Sequence, residues 1–292
     1  MTLVLSRCCW QLHSAPMLAN SASVRARPCM QLEAHLTADA LSKLLAHEAC
    51  AVHVRGFCQP SACEQIEAAL VDCGLFNPWD INRKAGSGIR SEVDKVGVVS
   101  GEALDNLHSF KRYLRAASDM EALLPVNLNP FERLRSELND VHPHGCHADS
   151  VVRGCPMPLG TFRRMNASVG LLHADTGTLL STRAAELSAN IYIRTPPAKG
   201  SLSVFPARQY SLAQLPCLYA LNKAQEGAYR SDSQAFLRTA LPLKRTITIS
   251  DGDLILINTG RFHEVQSYDE GYRLSGQCWL SFREGRPIFM WV

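Results

Sequence analysis

Two spacings of apolar residues divide the chain near residue 150. Upstream, TADALSKLLAHEA (37–49), QPSACEQIEAALVDCGL (59–75), FKRYLRAASDMEALLP (110–125) and NPFERLRSELNDV (129–141) carry apolar residues three and four apart. That is the spacing of one buried helical face, and it predicts four helices. Thr37 with Asp39, and Ser61 with Glu64, supply helix starts. AVHVRGF (51–57) alternates as a short strand would, so this half reads as helices buttressing a sheet. NRKAGSGIRSEVDKVG (82–97) is charged and aperiodic and predicts a mobile loop. It lacks the GKS or GKT ending of a phosphate loop.

Downstream the period shortens. ASVGLLHAD, LSANIYIRT, GSLSVFP, TITI, DLILINT, HEVQSY and YRLSGQCWLSF are strand-like runs separated by Gly, Pro, Asp and Lys turns. Many short strands of this kind predict a sandwich or barrel, and a jelly roll accommodates them. The expected fold is therefore α+β, a double-stranded β-helix (jelly-roll or cupin-like) core over 150–292 with an N-terminal helical flank over 31–149. Residues 207–240 are less regular and predict a segment crossing outside the barrel.

Residues 1–30 contain Arg7, Arg25 and Arg27 but no acid, a bias that fits either an organelle transit peptide or a disordered tail. Both a cytoplasmic and an organelle location stay open. Net charge is +3 with scattered basic residues, which makes no case for nucleic acid as a partner. No apolar run approaches the roughly 18 residues of a membrane span, so a soluble protein with a small-molecule partner is expected, in an oligomeric state the sequence does not specify. Eleven cysteines without a CxxC predict packed thiols instead of a disulfide framework or zinc ribbon.

The tripeptide HAD occurs twice, in CHADS (146–150) and LLHADTG (171–177). The first follows the proline- and glycine-bearing HPHGC and predicts a loop. There His142, His144, Cys146 and His147 have no element to direct them, so a second metal site is not expected. The second copy ends a strand-like run, which puts His173 and Asp175 on one face. A strand-end histidine bonded to a turn aspartate would look the same, so a third ligand must decide. His263, past the DLILINT strand, is the best candidate, and two histidines with one carboxylate form the open site of non-haem iron(II) oxygenases.

Ten residues on lies Arg273, with Ser275 on the same strand face. The DEG turn between predicts that His263 and Arg273 occupy two arms of one hairpin. A guanidinium and a nearby hydroxyl suit a carboxylate ligand, and an ion pair of Arg273 with Asp269 or Glu270 is the structural alternative. Asn190, Tyr192 and Arg194 share a face of NIYIRT, which would point either inwards, towards ligand, or to solvent; Arg194 is a reserve carboxylate binder.

The ordered set of HxD, a histidine roughly ninety residues later, and RxS ten residues beyond that resembles the iron(II)/2-oxoglutarate-dependent dioxygenases over about residues 150–292. The resemblance implies His173, Asp175 and His263 as catalytic iron ligands. It implies Arg273, aided by Ser275, as the anchor of the remote 2-oxoglutarate carboxylate; Asn190 and Tyr192, if their strand face points inwards, are candidate contacts for 2-oxoglutarate or substrate. Fe(II), 2-oxoglutarate and O2 are the implied cofactor and cosubstrates. The implied reaction is hydroxylation of a C–H bond of a small polar molecule, such as an amino acid or natural product, with release of succinate and CO2. Desaturation and cyclisation stay open; an aspartate at 175 argues against halogenation. A prolyl-type hydroxylase of protein side chains and a non-catalytic cupin-like binding protein are the alternatives.

Overall fold

The computed structural model describes residues 29–78, 93–96, 107–152, 155–166, 172–173, 185–197, 200–205, 238, 241 and 244–292. Upstream of residue 150 four helices form: α1 (Ala38–Leu45), α2 (Pro60–Asp72), α3 (Leu107–Leu123) and α4 (Pro130–Val141). Thr37 caps α1 by accepting from the Ala40 amide at 3.1 Å, and Asn129 caps α4 by accepting from Phe131 N at 3.0 Å. Helix α2 begins earlier than the Ser61 start predicted. Pro60 occupies its first turn, where a missing N–H leaves nothing unsatisfied, and no side chain caps it.

The strands build two facing sheets. Across the larger, from edge to edge, run β3 (Phe76–Pro78), β4 (Val93–Val96), β8 (Thr161–Met165), β14 (Arg273–Ser281), β9 (Ala185–Arg194), β12 (Leu254–Asn258), β2 (Ala49–Val54) and β1 (Cys29–Glu33). Beyond the end of β8, β15 (Ile288–Trp291) pairs with β14 and carries β5 (Cys146–Ala148). The smaller sheet is β11 (Arg245–Ile247), β10 (Leu202–Val204) and β13 (His263–Val265). β6 (Ser150–Val152) and β7 (Cys155–Pro156) pair separately. Pairing is antiparallel except between β1 and β2 and between β5 and β15.

From β9 onward the chain passes large sheet, small, small, large, small, large, which is the winding of a double-stranded β-helix. This winding corrects the expected hairpin. β13 pairs with β10 in the small sheet, while β14 is central to the large one, so DEG connects two sheets. Three local readings change as well. EVDKV, read as part of a loop, contains strand β4, and residues 79–92 lie outside those described. CHADS, also read as loop, contains β5, because its backbone pairs with β15. Cys29 and Met30, set aside with the tail, belong to β1 beside β2. Apart from Arg238 and residue 241, the segment 206–243 lies outside the described residues.

Alternation along the strands sorts side chains between two apolar layers. Leu187, Ala189 and Ile191 on β9, and Leu274, Cys278 and Leu280 on β14, pack outward against Leu44, Ile66, Phe131 and Leu134 of the helices. The smaller layer lies between the sheets, where Tyr192, Ile255 and Ile257 meet Leu202, Val204 and Ile247. Glycines let α4 approach: a Cβ at Gly160 or Gly276 would stand 2.2 or 2.8 Å from the Phe131 ring. Cys58, Cys63, Cys73, Cys146 and Cys278 are free thiols, and burial pushes Cys146 up to about 12. No helix among the described residues is long and apolar enough to cross a membrane.

Candidate active site

His263 opens β13 with its side chain towards the interior, on the face of Val265, because its strand partner Val204 packs into the layer between the sheets. His173 is drawn against it by an antiparallel bridge with reciprocal bonds, His173 N donating to His263 O at 3.0 Å and His263 N to His173 O at 2.8 Å. The two imidazoles stand 4.4 Å apart between centroids, inclined at 53°. His263 Nδ1 lies 2.9 Å from the Arg261 carbonyl. A carbonyl only accepts, so this contact puts the ring proton on Nδ1 and the lone pair on Nε2, the arrangement in which a histidine ligates a metal through Nε2. Asp175 lies outside the described residues, and among those described no three His, Cys, Asp or Glu side chains gather into a metal-binding group. In HPHGCH the His142 and His144 rings stand 5.8 Å apart, and His142 also meets the Phe282 ring at 6.1 Å.

On the large sheet, Arg273, Ser275 and Gln277 alternate with the outward Leu274 and Cys278, which turns all three towards the small sheet. The Arg273 guanidinium sits 5.9 Å from the centroid of the Tyr192 ring, and its Nη2 meets the Met165 sulfur at 3.6 Å. Its Nε and Nη1 are buried and have no hydrogen-bond partner among the described residues. Ion pairing with Asp269 or Glu270 would have answered these donors. Ser275 is buried and lies directly across from Tyr192. Burial pushes the Tyr192 phenol up and the Arg273 charge draws it partly back, so the hydroxyl keeps its proton and can donate. Asn190 also faces inward, and its Nδ2 and Gln277 Nε2 both approach the Ser188 hydroxyl, at 3.1 and 3.2 Å.

Arg194 does not share this face. Leu274 pairs with Arg194 and Ser275 with Tyr192, so Ile193 is one residue too many on β9 and reverses the alternation there. Arg194 instead bonds to Glu67 on α2 and to Asp251, Nη1 to Oδ2 at 3.1 Å, and is spent as a reserve carboxylate binder. Burial raises the Glu67 carboxyl, but bonds from Arg194 and Tyr272 outweigh it and hold the group below the usual range.

Sequence reasoning missed two inward cations, Lys95 on β4 and Arg163 on β8. It also missed the buried pair of His53 Nε2 and Asp253 Oδ2 at 2.8 Å. TFRRM gave no period-two signal for Arg163, because two arginines stand side by side, and Lys95 lay in a stretch read as loop.

No family model matches this sequence, and no curated protein matches it either. Solved structures do. An N-substituted L-amino acid dioxygenase from Burkholderia ambifaria AMMD, in complex with alpha-KG, superposes with a TM-score of 0.52 at 17% identity over 87% of this chain and 91% of that one. The chain has the fold of that dioxygenase. A second structure described as the same enzyme gives 0.51 at 16% identity over the same shares. The double-stranded β-helix expected from the strand pattern is therefore the observed architecture, with the histidine pair and Arg273 both turned towards the space between its sheets.

Proposed function

We propose that this protein is an iron(II)/2-oxoglutarate-dependent dioxygenase that hydroxylates a C–H bond of a small polar molecule. The observation that carries the reading is Arg273. A buried donor left unsatisfied costs roughly 1–3 kcal/mol, more when charged, so two buried guanidinium nitrogens with no partner among the described residues suit an anion. A carboxylate satisfies such a fork with two parallel bonds, and Ser275 and the protonated Tyr192 stand beside it to add others.

His173, Asp175 and His263 would hold the iron, two imidazoles and one carboxylate leaving the remaining positions open. The donor chemistry fits, since His263 is already held in the tautomer that presents Nε2. Bound there, iron with 2-oxoglutarate and dioxygen supplies oxidation of substrate C–H to C–OH, with succinate and CO2 as the other products. The chain contributes position and shelter. Arg273 fixes one end of the cosubstrate, Tyr192 and Asn190 bound it along β9, and the two sheets keep water from the reacting atoms. The amino-acid substrate named for the similar dioxygenase supports a small amino-acid-like substrate here.

Metal content and 2-oxoglutarate binding of purified variants test this directly. His263→Ala should lose stoichiometric iron, and Arg273→Ala should keep iron but bind 2-oxoglutarate at least thirty-fold more weakly. Unchanged iron in His263→Ala, or unchanged 2-oxoglutarate affinity in Arg273→Ala, contradicts the assignment. Binding of both ligands without succinate formation under any substrate would favour a binding barrel.

A further inference from the structure

Gln277 is only 7% exposed, and among the described residues nothing donates to its Oε1. Its Nε2 approaches the Ser188 hydroxyl at 3.2 Å, and Asn190 Nδ2 approaches the same oxygen at 3.1 Å. Asn190 and Gln277 are directly opposed on β9 and β14. Their neighbours Ala189, Ile191 and Cys278 pack into the helix-side layer, so all three polar side chains project between the sheets. Gln277 stands on the inward face of β14 beyond Arg273 and Ser275, and the backbone distance from Arg273 is about 13 Å. A five-carbon diacid held by Arg273 is shorter than that, which leaves the Gln277 end of the face for another group.

A side-chain amide oxygen only accepts, and a hydroxyl oxygen that accepts two N–H bonds keeps its own hydrogen to give. Ser188, Asn190 and Gln277 thus offer two acceptors and one donor. A primary carboxamide carries the reverse set, two N–H groups and one carbonyl. A carboxylate would meet the two amide oxygens with nothing to donate. An ammonium group would bring its charge into a buried layer without a carboxylate to pair with, since Asp253, on the face of Ile255, already accepts from His53, Gly56 and Ser250. We propose that Gln277, with Asn190 and Ser188, receives a neutral carboxamide group of the substrate. The word substrate rests on the dioxygenase reading; the clamp itself stands on the hydrogen bonds and the register.

The test is equilibrium binding to the full chain by calorimetry, under anaerobic iron(II), with and without saturating 2-oxoglutarate. The probes are N-acetyl amino acid amides, each against its free acid and its methyl ester, and asparagine and glutamine against aspartate and glutamate. We expect at least one carboxamide to bind ten-fold or more tighter than its acid and, where the series has one, its ester. Gln277→Met, which keeps the side-chain volume, should bring amide and ester to within two-fold of each other. A merely structural loss would weaken both together and preserve their ratio. Equal binding of amide and ester, a preference for the acid, no binding by any probe, or a preference that survives Gln277→Met overturns the proposal. The wild-type comparison decides even where the variant fails to fold. Failure of 2-oxoglutarate itself to bind would overturn the dioxygenase reading alone, since the titrations without it still report on the carboxamide clamp.

Discussion

A guanidinium with two buried nitrogens left without a partner is unfavourable, and among the described residues Arg273 holds that position beside Tyr192. Function and stability should therefore part at this residue. Arg273→Met removes the uncompensated charge, so the unliganded protein should gain about 1 kcal/mol in urea unfolding while 2-oxoglutarate affinity falls by about 2–4 kcal/mol. A loss of stability on that substitution would mark Arg273 as structural. Asp253 gives the opposite case. Burial raises its carboxyl, but bonds from His53, the Ser250 amide at 2.9 Å and the Gly56 amide at 3.0 Å outweigh burial and leave it below the usual aspartate range. Its contribution is thus complete above the unfolded value of about 3.9 and is lost as pH falls through the lower folded value. Unfolding free energies measured from about pH 6 down to about pH 3 should decline at the acid end, and Asp253→Asn should be less stable near pH 6 with a flatter decline. Period two made two pairs legible at this scale, Arg273 with Ser275 and Asn190 with Tyr192, but that both pairs share one face follows only from the register of β9 against β14. Arg194 was not, because a single extra residue on β9 cannot be seen without the partner strand.

Among elements, α4 is fixed by what it approaches. Phe131 reaches the large sheet only because residues 160 and 276 lack a Cβ, and its ring lies 5.1 Å from that of Phe162. Gly276→Ala should destabilise by about 1–3 kcal/mol, read as a lower urea midpoint at constant m-value, because neither helix nor strand yields easily. The glycine also borders Ser275 and Gln277, so cosubstrate affinity should drop in the same variant. Helix and strand existence was readable from the 3.6 and 2 periods, and Thr37 announced its cap, whereas the Asn129 cap was not read and the Ser61 start gave way to Pro60. Pairing was not readable. The ten residues from His263 to Arg273 look like a hairpin locally, whereas the partners of β13 and β14 lie far away in sequence, on β10, β9 and β8. Strand β4 escaped for a related reason: VDKV has too few residues to show a period, and its identity comes from pairing with β8.

Across the whole molecule the two apolar layers are unequal. Among the described residues the helix-side layer is extensive, and the layer between the sheets is short and gives way to Ser188, Asn190, Ser275 and Gln277. Stability resides mainly outside the large sheet, which leaves the interior free to be polar. Ligands entering that interior should stabilise the chain by mass action, about 2.7 kcal/mol at a hundred-fold excess over Kd. Iron(II) with 2-oxoglutarate should therefore raise Tm by several degrees in differential scanning, and His263→Ala should abolish the shift. The double-stranded β-helix was legible as a class from strand length and spacing, and the similar dioxygenase structure shares it at 17% identity. The most direct test of the function is the conversion of 2-oxoglutarate to succinate by the purified chain with iron(II), oxygen and a panel of amino acids and other small polar metabolites. Succinate formation that requires iron, is stimulated by one class of substrate, and disappears in His263→Ala and Arg273→Ala is the predicted result. Iron-loaded protein that forms no succinate with any of them, or forms it equally in both variants, would contradict it.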